Sequence, residues 1–143
     1  MKLIIGTDHR GYAHKEYIKK ELSVIEWTDV GCFSEEPADY PIIARKAIQL
    51  LERQEISQAI LLCGSGIGMS IAANRHAGIF AALVWNVSVA RQAKEHENAN
   101  ILVLPSDYIS MQESVDCINA WITASFLQGH YEKRCKMIDD FNF

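Results

Sequence analysis

Ala59-Ile60-Leu61-Leu62-Cys63-Gly64-Ser65-Gly66-Ile67-Gly68-Met69 joins an apolar run to a loop with glycine at every second position. An unbroken apolar run of this kind reads as a strand buried on both faces, and the glycines mark where the chain turns out of the sheet. Cys63 then stands at the carboxyl end of a buried strand. It lies beside backbone amides that no side chain screens, a setting that stabilises a thiolate or a developing oxyanion.

Outward from this stretch, apolar runs alternate with amphipathic ones. Strands are expected at Lys2–Thr7, Val24–Val30, Gln58–Cys63, Gly78–Val84 and Asn100–Leu104. Helices are expected at Tyr12–Leu22, from Pro41 to about Arg53, at Ile67–Arg75, at Val87–Glu95 and at Met111–Leu127. Pro41 suits a first helical turn, where its fixed φ helps and its missing N–H costs nothing. Gly31–Asp39 reads as a loop, Gly129 breaks the last helix, and a short basic tail follows. Strands separated by helical crossovers pair in parallel, with helices on both faces of the sheet. In such sheets ligands bind beyond the carboxyl ends of the strands, which groups Asp8, His9, Cys63–Gly68, Trp85 and Pro105–Asp107 on one rim.

The 143 residues are 49% hydrophobic and contain no low-complexity tract, so they are expected to form one domain spanning residues 1–143. The net charge of −4 is scattered rather than striped, which argues against nucleic acid as a partner. No apolar run is long enough to span a bilayer, and Met1–Asp8 turns polar before a signal-peptide core forms, so a cytoplasmic location is expected. Cys32, Cys63, Cys117 and Cys135 have neither disulfide-framework nor zinc-ligand spacing, and no metal or other cofactor is expected.

Three familiar glycine loops fail on inspection. Met69 stands where the dinucleotide fingerprint needs glycine and where a cysteine phosphatase loop needs arginine, and there is no Gly-Lys-Ser/Thr. What remains suits proton abstraction beside a carbonyl, with Cys63 as thiolate base and the loop amides and Ser65 holding an enediolate. His9 and His96 are the candidate acids. Cys32, Cys117 and Cys135 read as packing residues, as do Trp27 and Trp121. His14 and His76 read as exposed, and Lys15, Glu16, Lys19, Lys20 and Glu21 as a solvated helix face.

Four segments together resemble the type B ribose-5-phosphate isomerases and the related galactose-6-phosphate isomerase subunits. They are Gly6-Thr7-Asp8-His9-Arg10-Gly11-Tyr12, Asp39-Tyr40-Pro41, Leu62 through Arg75, and His96 with Asn98 through Pro105. The resemblance implies a three-layer α/β/α sandwich on a Rossmann-like, mainly parallel five-stranded sheet. It implies a homodimer or homotetramer with each site shared between subunits, and interconversion of an aldose phosphate and its ketose through a cis-enediolate without a metal. On matching positions Cys63 is the base and His96 the acid for ring opening. Asp8 and His9 hold hydroxyls or phosphate, Tyr40 lines the pocket, and Ser65 stands where these enzymes usually carry threonine. The backbone of Gly64, Ser65, Gly66, Ile67 and Gly68 forms the anion hole, and Arg134 grips phosphate.

The chain departs from that pattern around the phosphate. Glu97 replaces a usual asparagine, Asp107 a frequent arginine, and His130 the first tail arginine. Either Arg10, Arg75, Arg91 or Lys133 supplies charge from a shifted position, or the substrate is an unphosphorylated or differently charged sugar. A sugar-binding relative without turnover and a cysteine hydrolase using Cys63 and His96 are the readings from other classes.

Overall fold

The structure, a computed structural model, describes residues 1–140. Strands β1 (Lys2–Thr7), β2 (Glu26–Asp29), β3 (Ala59–Cys63), β4 (Ala81–Leu83) and β5 (Ile101–Pro105) form one sheet in the order β2-β1-β3-β5-β4. Every pairing is parallel, with Ile4 opposite Ala59 and Cys63 opposite Pro105. The helices are α1 (Tyr12–Glu21), α2 (Tyr40–Glu52), α3 (Ile67–Ala73), α4 (Val87–Glu95), α5 (Met111–Thr123) and α6 (His130–Asp139).

Side chains alternate between the faces of a strand, and the apolar residues divide accordingly. Ile4, Leu61, Ile101 and Val103 meet Ile43, Ala47 and Ile48 of α2 and Met69 and Ala73 of α3. Leu3, Ile5, Ile60, Leu62, Leu102 and Leu104 meet Ile18 of α1, Ala90 and Ala93 of α4, and Val115, Ile118 and Trp121 of α5. Each large side chain buried in this way contributes about 1.5–3 kcal/mol. The result is the α/β/α sandwich expected, with a sheet that is parallel throughout. Among the described residues no helix is long and apolar enough to cross a membrane.

Four expectations are corrected. The helix over Met111–Leu127 ends at Thr123, where the Thr123 hydroxyl donates to the Asn119 carbonyl at 2.7 Å and Ala124 turns extended. The Leu127 N–H then donates to the Glu95 carbonyl at 3.0 Å, tying this segment to the end of α4. The basic tail, for which the sequence assigned no element, is helical: residues 130–139 form α6, with Tyr131 and Cys135 half-buried one turn apart and Lys136 bonded to Glu132 at 2.8 Å. His14 is half-buried, its Nε2 3.0 Å from the Ile109 carbonyl. Lys15 does not belong to a solvated face: its side chain is 0% exposed, for reasons taken up in the Discussion.

Cys117 is a packing residue on α5, fully buried. Burial, then the carboxylates of Asp116 and Glu113, push its thiol from 9.0 up to about 11. The folded chain holds this proton more tightly than the unfolded one. Its contribution is therefore complete below the unfolded value of 9.0 and is lost as the pH rises through about 11. Two units correspond to about 2–3 kcal/mol. In urea melts the stability gap between wild type and Cys117→Ala is expected to close by this amount between about pH 8 and about pH 11. A gap independent of pH would show that the thiol does not titrate with unfolding.

Candidate active site

The chain leaves β1 for β2 on one side and returns at β3 on the other, so its crossovers part above the carboxyl ends of β1 and β3. Asp8 and Cys63 stand at these two ends. The Asp8 N–H donates to the Leu62 carbonyl at 3.4 Å, which ties the two strand exits together.

Asp8 is 6% exposed, and its Oδ1 accepts the Arg10 N–H at 3.0 Å, opening a single 3-10 turn over His9–Gly11. Nδ1 of His9 accepts the Ala38 N–H at 3.2 Å, so the neutral ring carries its hydrogen on Nε2, a donor available to a ligand. Tyr40 opens α2, and its ring lies directly on the backbone of Gly68. A Cβ at position 68 would stand 2.6 Å from Tyr40 Cζ and 2.9 Å from its hydroxyl oxygen, so only glycine admits the ring here.

After β3 the chain turns through Gly66 at a φ of 74°, where a Cβ would also collide with Leu83. The turn sets the N–H groups of Met69 and Gly66 near enough to the Cys63 sulfur to favour its thiolate. The Ser65 hydroxyl accepts the Ile67 N–H at 3.3 Å and keeps its own hydrogen to donate. Among the described residues the N–H groups of Ser65 and Gly68 have no partner. Ser106, buried at the end of β5, donates both its N–H (3.0 Å) and its hydroxyl (3.1 Å) to the Cys63 carbonyl. The sequence puts this serine on the rim, within Pro105–Asp107, but assigns it no role; a small polar residue directly after the Ile101–Pro105 run is the signal for such a brace.

Electrostatics correct one expectation. Burial raises the Cys63 thiol, the Met69 amide lowers it, the Asp8 carboxylate raises it, and the Gly66 amide and Arg10 lower it; the balance lies above the ordinary 9.0. Desolvation disfavours the thiolate by more than the loop amides favour it. Cys63 at rest is therefore a thiol, 5% exposed.

Over the loop, the Arg10 guanidinium pairs with Asp107. Both groups crowd Gly64: a Cβ there would stand 2.7 Å from Arg10 Nε and 2.8 Å from Asp107 Oδ2. The Asp107 N–H donates to the Gly64 carbonyl at 2.9 Å, fixing the loop after β5 against the loop after β3.

His96 and Arg134 are not part of this cluster. His96 caps the carboxyl end of α4, the end that leads into the start of β5. Asn100 there accepts the Ala59 N–H and donates to the Phe80 carbonyl. Within one chain His96 thus lies toward the opposite rim of the sheet from Cys63. It is stacked on Tyr131 of α6 at 4.3 Å with 4° between the rings, and Arg134 is exposed on the same helix. Among the described residues none of the five histidines hydrogen-bonds the Cys63 sulfur, so the nucleophile–base pair required of a cysteine hydrolase does not form among them.

A family model described as Ribose/Galactose Isomerase matches residues 3–138. The chain belongs to this family. Members of it are aldose–ketose isomerases, and the chain is an enzyme of that class. It is 42% identical to a ribose 5-phosphate isomerase from Thermotoga maritima, whose crystal structure superposes with a TM-score of 0.95 over 98% of each chain. It is 32% identical to the ribose-5-phosphate isomerase B of Escherichia coli, over 96% of this chain and 93% of that one. The ribose-5-phosphate isomerase B of Mycoplasma genitalium, solved with bound ribulose-5-phosphate, is 30% identical, with a TM-score of 0.90 over 96% of this chain and 93% of that one.

Proposed function

We propose that the chain interconverts ribose 5-phosphate and ribulose 5-phosphate, with Cys63 moving the proton between C2 and C1. The observation that carries this reading is the cluster at the β1 and β3 exits. There a thiol stands beside two loop N–H groups and a carboxylate that act on its charge, in a chain of this family. Cys63, as thiolate, takes the C2 proton of the open-chain aldose while the carbonyl electron pair moves onto O1. The resulting cis-enediolate is held by the free N–H groups of Ser65 and Gly68 and by the Ser65 hydroxyl. The thiol then returns its proton to C1, and the hydroxyl proton passes from O2 to O1, so that no net oxidation occurs. Asp8 and the Nε2–H of His9 bind sugar oxygens, and Tyr40 walls the cleft.

The acid that opens the sugar ring is His96 of a second copy, and Arg134 grips phosphate from that same copy. Two observations support a shared site. In one chain these residues lie away from Cys63, and the exposed face beside the site is apolar. Ile67 and Ile71 of α3 are 55% and 61% exposed, and Trp85 and Val87 beyond the edge strand β4 are 58% and 41% exposed. Apolar groups gathered in this way are the material of an interface rather than of a free surface. Mixing unfolded Cys63→Ala and His96→Ala chains and refolding them together is expected to restore about a quarter of wild-type turnover. Hybrid dimers would hold one intact site in two, although neither variant is active alone. Refolded mixtures no more active than the separate variants would sink the shared site, and wild type without turnover of ribose 5-phosphate would sink the substrate.

A further inference from the structure

Any anionic substrate reaching this cleft has to find a cation, and the chain provides very few. Segments 8–11, 30–39, 64–66, 84–86 and 106–110 leave the carboxyl ends of the five strands. They contain Asp8, Glu35, Glu36, Asp39 and Asp107, and Arg10 is their sole Lys or Arg. Arg10 is also placed where a ligand on the loop would meet it. Its Nε and Cδ stand 2.7 and 2.9 Å from where a Gly64 Cβ would be, so its stem runs over the backbone leading to Ser65. Its side chain is 59% exposed, so the guanidinium donors that the 33% exposed Asp107 does not engage can turn to a ligand.

We propose that Arg10, tethered over Gly64 by Asp107, is the cation that the rim around Cys63 itself contributes to anchoring the anionic group of the substrate, alongside Arg134 of the second copy, and so strengthens the preference for a phosphorylated sugar. The proposal rests on the isomerase reading for the identity of the substrate. Asp107 belongs to the β5 exit and Arg10 to the β1 exit, so the pair closes over the loop of β3 between them. A carboxylate this close to the anion's place is tolerable only while the guanidinium neutralises it. The exposed arginine can be removed without opening the core, which makes the assignment testable.

In Arg10→Ala, KM for ribose 5-phosphate is expected to rise about tenfold to a hundredfold with a much smaller change in kcat, the loss of a charge-assisted contact. The ratio of kcat/KM for ribose 5-phosphate over free ribose should fall by at least about tenfold. Removing the orphaned carboxylate in Arg10→Ala/Asp107→Ala is expected to lower KM again, to between that of Arg10→Ala and wild type. Calorimetry of ribulose 5-phosphate binding supplies a readout independent of turnover. If wild type binds but does not turn over, the isomerase reading fails while weaker binding by Arg10→Ala still supports the anchor. Unchanged binding in Arg10→Ala overturns the anchor. So does an equal loss for free and phosphorylated sugar, or a double variant no better than the single one.

Discussion

Cys63→Ala is expected to slow exchange with solvent of the C2 hydrogen of ribose 5-phosphate, or of a C1 hydrogen of ribulose 5-phosphate, by about 10²–10⁴-fold, the range a positioned general base contributes. Among the described residues no other group is placed to replace it. Asp8 is the carboxylate that acts on the sulfur, but its Oδ1 is engaged by the Arg10 N–H, and the nearest rim imidazole, His9, is held through Nδ1 by Ala38. Alanine keeps the fold, since the loop is pinned independently by Ser106 on the Cys63 carbonyl and by Asp107 on Gly64. NMR of the substrate in D2O measures the exchange directly, and a variant within tenfold of wild type would remove Cys63 from the reaction. The raised thiol adds a second signature. Because burial places the pKa above its ordinary value, the free-enzyme kcat/KM should still be rising with pH when it reaches that value. A plateau below it would mean that the reacting group is not this thiol.

The part of this site that was legible in the sequence is the part written in adjacent residues. Ala59 to Met69 spelled out a buried strand, a glycine turn and a helix start, and the fold placed them as read. Pro41 marked the first turn of α2, and Trp121 and Cys117 proved to be core. What stayed hidden depends on distant partners. Charge and helical period made Lys15 a surface residue because neither reports that Asp29, at the end of β2, lies beneath it. Tyr131 and Cys135 have the spacing of a helix face, yet in a short basic stretch that signal is weak without knowing that His96 and Glu97 lie against it. The direction of the Cys63 shift was misread for a related reason. The loop amides are visible in the sequence, whereas desolvation depends on the β5 exit and the other elements that close around the sulfur. His96 directly follows the helix read at Val87–Glu95, but the rim of the sheet at which that helix ends is a matter of topology.

Asp29→Ala is expected to cost about 3–5 kcal/mol of stability, because it takes away the carboxylate hydrogen-bonded to the buried Lys15 ammonium and leaves it only the half-exposed Glu16 carboxylate at 3.7 Å. Both Asp29 oxygens lie 2.8 Å from Lys15 Nζ, which also donates to the Cys32 carbonyl at 2.6 Å. The rings of Phe33 and Tyr12 cover it, their centroids 4.9 and 5.7 Å away. Burial works against the Asp29 carboxylate, but hydrogen bonds from Lys15, Lys19 and the Gly31 N–H outweigh it and hold the group below its ordinary 3.8. That contribution is therefore present above 3.8 and is lost as the pH falls through the lower folded value. The cost belongs to the stranded lysine rather than to the missing carboxylate. Lys15→Met/Asp29→Ala, with an apolar stem and no charge to bury, is accordingly expected to recover part of the loss despite carrying one more substitution. Urea unfolding at a fixed protein concentration separates the two explanations. If Asp29→Ala costs under about 1 kcal/mol, or the double variant is the less stable one, the pair is not what holds the loop that runs from Gly31 to the Ala38 donor of His9.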